Sequence, residues 1–172
     1  RQLTELWGDV RTSPAEKREL IERFKAELNP EVLAKADRSA GRAVFQKTCA
    51  NCHVLYGTGR KVGPDLTGSN RKNLDYLLEN SVDPSAVVGA DFRVLVVTLQ
   101  DGRVLSGVVS EQNERTLTLQ LAQAPITIDR REIEESKQTT RSLMPHGQLP
   151  PLSHQQVRDL MAYLMATEQV AL

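Results

Sequence analysis

The pentapeptide Cys49-Ala50-Asn51-Cys52-His53 constrains this chain more than any other stretch. It holds both cysteines of the chain and one of its three histidines. Two thiols at this spacing suit a disulfide, half of a zinc site, a redox pair or an anchor for haem. Structural zinc wants four thiolate or imidazole ligands, and His146 and His154 have no ligand-like spacing to the motif. A disulfide here closes a tiny loop and staples almost nothing. A thioredoxin-type pair needs a βαβ setting, whereas the flanks read as helix and loop.

The fourth reading has its own mechanism. Two thiols about one helical turn apart can form thioethers to the two vinyl groups on one porphyrin edge, and the adjacent imidazole reaches the iron. Its force depends on a second ligand and a pocket. Ser142-Leu143-Met144-Pro145 places a methionine in a proline-bounded loop before the last helix. A thioether is a soft ligand that raises a haem potential. The bland reading of any methionine is flexible core filler. Met161 fits that reading because it falls on an apolar helix stripe. Met144 is the favoured distal ligand, His146 the alternative, and His154 is expected to be exposed. In Val62-Gly63-Pro64-Asp65-Leu66 the Pro64 carbonyl is the candidate acceptor for the second ring proton of His53. Judged alone, the Gly-Pro pair is a surface turn.

Around these residues the chain reads as helical, then β, then helical. Leu3, Leu6, Trp7 and Val10 suggest a short helix. Ser13-Pro14-Ala15-Glu16 combines an N-cap serine, a first-turn proline and a capping-box glutamate. Leu20, Ile21, Phe24 and Leu28 follow as one stripe, stopped by Asn29-Pro30. A helix from Asp37 or Ser39 runs into Cys49, and another spans residues 73–81. The period then shortens. Strands are expected over residues 92–100, 103–110, 116–121 and 126–128, with 132–134 as a possible fifth. Asp101-Gly102 is a hairpin signal whose two positions both favour positive φ. This module, at about 91–136, bears a fold-level likeness to a miniature SH3-like barrel. A final helix starts at Ser153, capped with Gln156, and runs to about Glu168.

Lys plus Arg and Asp plus Glu balance at 22 each, which gives no reason to expect nucleic acid or an anionic membrane as partner. No apolar run approaches the ~20 residues of a membrane span. No secretory signal opens the chain, and a start at Arg1 reads as a mature protein or a fragment. Aromatics make up only 4 %, so a large apolar cofactor would naturally supply buried area.

These residues resemble class I c-type cytochromes. Gly41 and Phe45 match the pattern of that family's first helix, and Leu160 and Tyr163 that of its last. Cys49, Cys52, His53, Pro64 and Met144 match its haem motif, following proline and distal methionine. The blocks "GRAVFQKTCANCH", "VGPDLTG", "DYLLENSVDPSAVV", "DGRVLSGVV" and "SLMPHG" are similar to a haem-binding domain of planctomycetes and verrucomicrobia, often fused to predicted secreted dehydrogenases. That likeness covers residues 40–166. Ser81 and Gln148 stand where the family tends to carry apolar residues.

The resemblance implies a mainly α fold: a class I cytochrome domain at 37–172, interrupted by the β insert, after an N-terminal helical extension at 1–36. It implies one covalent haem c with His53 and Met144 on the iron. The chain would then be an electron carrier, not an enzyme, relaying electrons from a redox partner such as a dehydrogenase. Tyr56, Arg60 and Arg71 are candidates to contact the haem propionates. A periplasmic or otherwise exported location follows, because thioether attachment is done outside the cytoplasm. A haem-based sensor, or a docking module of a larger dehydrogenase, remains the alternative.

Overall fold

The computed structural model describes residues 13–172. The expected helix carrying Leu3, Leu6, Trp7 and Val10 lies outside them. The described residues form two compact units, one of residues up to 86 with 145–172, the other of residues 87–144.

The chain is not mainly α, contrary to the sequence expectation. About 34 % of the described residues are helical and 25 % are in strands, and five strands build one antiparallel sheet. Most of the difference lies in one strand, Ile133–Ser142. Its sequence, IEESKQTTRS, has no apolar alternation and therefore gives little strand signal.

In the first unit, α1 spans Ala15–Glu27, α2 Pro30–Ala34, α3 Arg38–Thr48, α4 Leu74–Val82 and α5 His154–Leu164. The cap expected at Ser13 does not form. Pro14 is the cap residue and makes no side-chain cap bond; its carbonyl accepts from the Lys17 and Arg18 amides, each at 3.1 Å. Asn29-Pro30 ends α1 but also starts α2, since the Asn29 side chain accepts from the Val32 amide at 3.0 Å and proline is preorganised for a first turn. Asp37 caps α3, Asn73 caps α4, and Ser153 with Gln156 completes a capping box on α5.

Helix α1 packs on α4. Two ion pairs fix an antiparallel register, Lys25 to Asp75 at 3.1 Å and Lys17 to Asp83 at 2.7 Å. Helices α3 and α5 cross at Gly41, where an added Cβ would lie 1.9 Å from the Asp159 carbonyl oxygen. Beside this crossing the Phe45 and Tyr163 rings stand 5.6 Å apart at 57°. Phe24 and Leu28 of the α1 segment share one core with Phe45, Leu55, Leu78, Leu160 and Met161.

In the second unit, β3 (Arg93–Leu99), β4 (Val104–Gln112), β5 (Thr116–Gln120), β6 (Pro125–Asp129) and β7 (Ile133–Ser142) follow a short 3-10 turn at Ala90–Phe92. The strand order is β6-β5-β4-β3-β7, so β6 and β7 are the sheet edges. Val97, Leu99, Leu117, Leu119 and Ile128 form its core. At the β3–β4 turn only Gly102 has positive φ, at 85°. The Leu99 amide meets the Arg103 carbonyl at 2.9 Å, so this is a three-residue loop closed by a left-handed glycine, not the two-residue turn expected. The charges of β7 suit an exposed edge, where they discourage pairing with another chain.

Candidate haem-attachment site

The motif begins where α3 ends. Cys49 is the C-cap residue, and its amide still bonds the Phe45 carbonyl at 2.8 Å. The Cys49 carbonyl then accepts from the Cys52 and His53 amides at 3.0 and 2.9 Å. This extra turn presents two thiols and an imidazole from one compact stretch of backbone. Neither cysteine is in a disulfide. Burial pushes the Cys49 thiol above its usual range, opposed by the Thr48 hydroxyl 3.2 Å from its sulfur. Among the described residues, no group of three or more His, Cys, Asp and Glu is placed to hold a metal ion by itself, which leaves the zinc reading without ligands.

Next, the chain turns back beneath the imidazole. Strands β1 (Val54–Leu55) and β2 (Thr58–Gly59) form a minimal hairpin, turned through positive φ at Tyr56 and Gly57. The Arg60 amide bonds the Ala50 carbonyl at 2.9 Å, and the Val62 and Gly63 amides bond the Cys52 carbonyl at 3.0 and 2.7 Å. These bonds lay Gly63 and Pro64 along the ring of His53. The Pro64 carbonyl stands 2.9 Å from His53 Nδ1. With Nδ1–H donating there, Nε2 is the lone-pair nitrogen, as a metal-binding imidazole requires. An added Cβ on Gly63 would lie 2.7 Å from His53 Cε1, so glycine is what lets the ring pack on this backbone. Sequence reading placed Gly63 in the loop that serves His53 but gave it no packing role of its own.

Tyr56 and Arg71 do structural work in this unit. Arg71 is buried, 6 % exposed. Its Nη1 donates to the Leu164 carbonyl at 2.7 Å and also to the Ala166 carbonyl. The Tyr56 hydroxyl donates to the same Ala166 carbonyl, and the Arg71 guanidinium lies 4.8 Å from the centre of its ring. Together they satisfy backbone acceptors at the C-terminal end of α5, which stops at Leu164 and not near Glu168. Arg60 is exposed.

Met144 is half-buried and lies just beyond β7; its amide bonds the Ser142 hydroxyl at 3.1 Å. His146 is exposed, with Nδ1 3.0 Å from Lys17 Nζ. The His154 ring is exposed and sits 2.9 Å from Glu27. No described helix is long and apolar enough to cross a membrane.

Free paired thiols, an imidazole oriented through Nδ1 and a glycine floor beneath it suit covalent haem. No curated protein matches the chain. A family match covers α3 from Ser39, the motif, α4 and the turn before the sheet. Residues 39–92 match the family model described as cytochrome c, which supports a haem-binding, electron-transfer role with some redox partner, and the cofactor of such a domain is covalent haem c with its iron.

Proposed function

We propose that this chain is a one-electron carrier in which Cys49 and Cys52 hold one haem c and His53 and Met144 fill its axial positions. The observation that carries this reading is the 2.9 Å contact of His53 Nδ1 with the Pro64 carbonyl, which leaves the Nε2 lone pair free for a metal. When bound, haem c supplies the one-electron couple. The protein orients the imidazole through Pro64 and Gly63. Met144 contributes a soft sulfur that favours the reduced state. Were His53 and Met144 both to hold the iron, no coordination site would be left for a substrate, which suits transfer and not catalysis. A dehydrogenase is the proposed electron donor, and an exported compartment the proposed location.

Optical spectra of the oxidised and reduced protein test this, for the wild type and Met144→Ala. The expected result is a weak far-red sulfur-to-iron band in the oxidised wild type, lost in the variant, which also gains carbon monoxide binding when reduced. An identical spectrum in the two proteins would remove Met144 from the iron. Full carbon monoxide binding by the wild type would favour a sensor.

A further inference from the structure

The N-terminal helix α1 lies outside the matched segment, yet it carries a contact that reaches the methionine segment. Asp83, at the end of α4, has a fully buried side chain. A buried carboxylate needs a cation and hydrogen bonds to stay ionised. Lys17 of α1 provides a cation and one hydrogen bond at 2.7 Å. The same ammonium lies 3.0 Å from His146 Nδ1, so one Lys17 N–H serves Asp83 and another serves His146.

The second bond is more than the packing of α1 requires. Lys25 and Asp75 already pair two helical turns away and hold α1 along α4. The bond to His146 instead leaves α4 and ties down the segment that follows β7. That segment has two further fixed points. The Met144 amide bonds Ser142 Oγ at 3.1 Å, and Leu149 is 2 % exposed in the helical core. His146, two residues after Met144, is therefore held by Lys17.

We propose that Lys17 is a positioning residue for Met144: from its buried base on Asp83 it holds His146, and so restricts where the Met144 sulfur can go. This rests on Met144 being the distal ligand. A neutral thioether binds iron weakly enough that the restriction of its segment should show in how often it is bound. Helix α1 is then a working part of the haem site, not an appendage.

The test uses the full haem-loaded chain and four variants. In Lys17→Met and His146→Leu, the far-red sulfur band should weaken and carbon monoxide binding by the reduced protein should rise about tenfold, the scale of one charge-assisted hydrogen bond. Amide hydrogen exchange at residues 146–149 should quicken by a similar factor. His146→Gln, whose side-chain oxygen can accept from Lys17, should restore most of the band. Lys17→Met removes a cation from beside a buried carboxylate and risks misfolding; His146→Leu leaves that ion pair intact and keeps the test decisive. If His146→Leu shows wild-type exchange and carbon monoxide binding while Met144→Ala loses the band, the positioning role is overturned and the ligand reading stands. If Met144→Ala keeps the wild-type band, the ligand reading falls and this role falls with it. Equal loss in His146→Leu and His146→Gln would also overturn it, because a side chain that still accepts from Lys17 would then have restored nothing.

Discussion

Gly63 backs His53 so closely that a single added methyl group would lie 2.7 Å from the ring carbon Cε1. Neither atom could stay where it is. The Pro64 carbonyl next to it holds the same ring at 2.9 Å, so pushing the ring away also breaks its orienting bond. Gly63→Ala should therefore lower the fraction of chains that carry correctly ligated haem. The overpacking cost is on the order of 1–3 kcal/mol. Haem content per chain and the Soret spectrum measure the effect. Wild-type values for both would show that the ring has room to move.

The two thiols should be separable by experiment. Cys49→Ala and Cys52→Ala each leave one thioether, so each should keep haem through denaturation but with a shifted reduced-state spectrum. The double variant should lose haem wholly on denaturing extraction. Haem staining after a denaturing gel reads this directly. Retention in the double variant would refute thioether attachment.

Some of this was legible because it is local. The motif, the glycine-proline turn, the helix starts near Asp37 and Asn73 and the cap at Ser153 are contiguous patterns with one physical cause each. Strand β7 was legible only at its start, as the possible strand at 132–134, because a polar edge strand lacks the alternation that a half-buried strand shows. Its partner β3 made the sheet, and the weight of the sheet overturned the mainly α expectation. The Lys17 contacts join residues 66 and 129 positions apart. Nothing local marks Lys17 and Asp83 as partners, His146 read only as the alternative ligand, and folding alone brings the three together. The carbonyl contacts of Arg71 were hidden for the same reason: a buried arginine that satisfies helix carbonyls has no sequence signature distinct from an exposed one.

Gly41 carries the helix crossing. A Cβ there would lie 1.9 Å from the Asp159 carbonyl oxygen and 2.9 Å from Tyr163 Cβ. Backbone cannot yield as a flexible side chain does. Gly41→Val should force α3 and α5 apart and cost about 3 kcal/mol or more, with loss of the Phe45–Tyr163 contact. A fall in the urea midpoint checks this, and an unchanged midpoint would mean that the crossing is looser than the structure shows.

Arg71→Met keeps length and apolar bulk but removes the donor to the Leu164 and Ala166 carbonyls. The Leu164 carbonyl, left without this donor, costs about 1–3 kcal/mol, while the Ala166 carbonyl keeps its bond from the Tyr56 hydroxyl. The variant should unfold earlier and fray at the end of α5, seen as faster amide exchange after Tyr163. The reduction potential separates this from a direct propionate contact. A structural cap predicts a stability loss with little change in potential, whereas a large shift at unchanged stability would return Arg71 to the haem.

The haem-free chain should carry a pH dependence that the loaded chain lacks. Burial holds the Cys49 thiol above its ordinary value of 9.0. A folded-state pKa raised above the unfolded one means that the unfolded chain gives up this proton first. Stability from this group is then complete below about pH 9 and falls as pH climbs through the folded value. Thioether formation removes the proton and with it the dependence. Urea unfolding of the haem-free protein from pH 7 to 10.5 should show the decline, and Cys49→Ala should flatten it. The loaded protein should lack this component. An equal decline in haem-free wild type and variant would assign the effect to other groups.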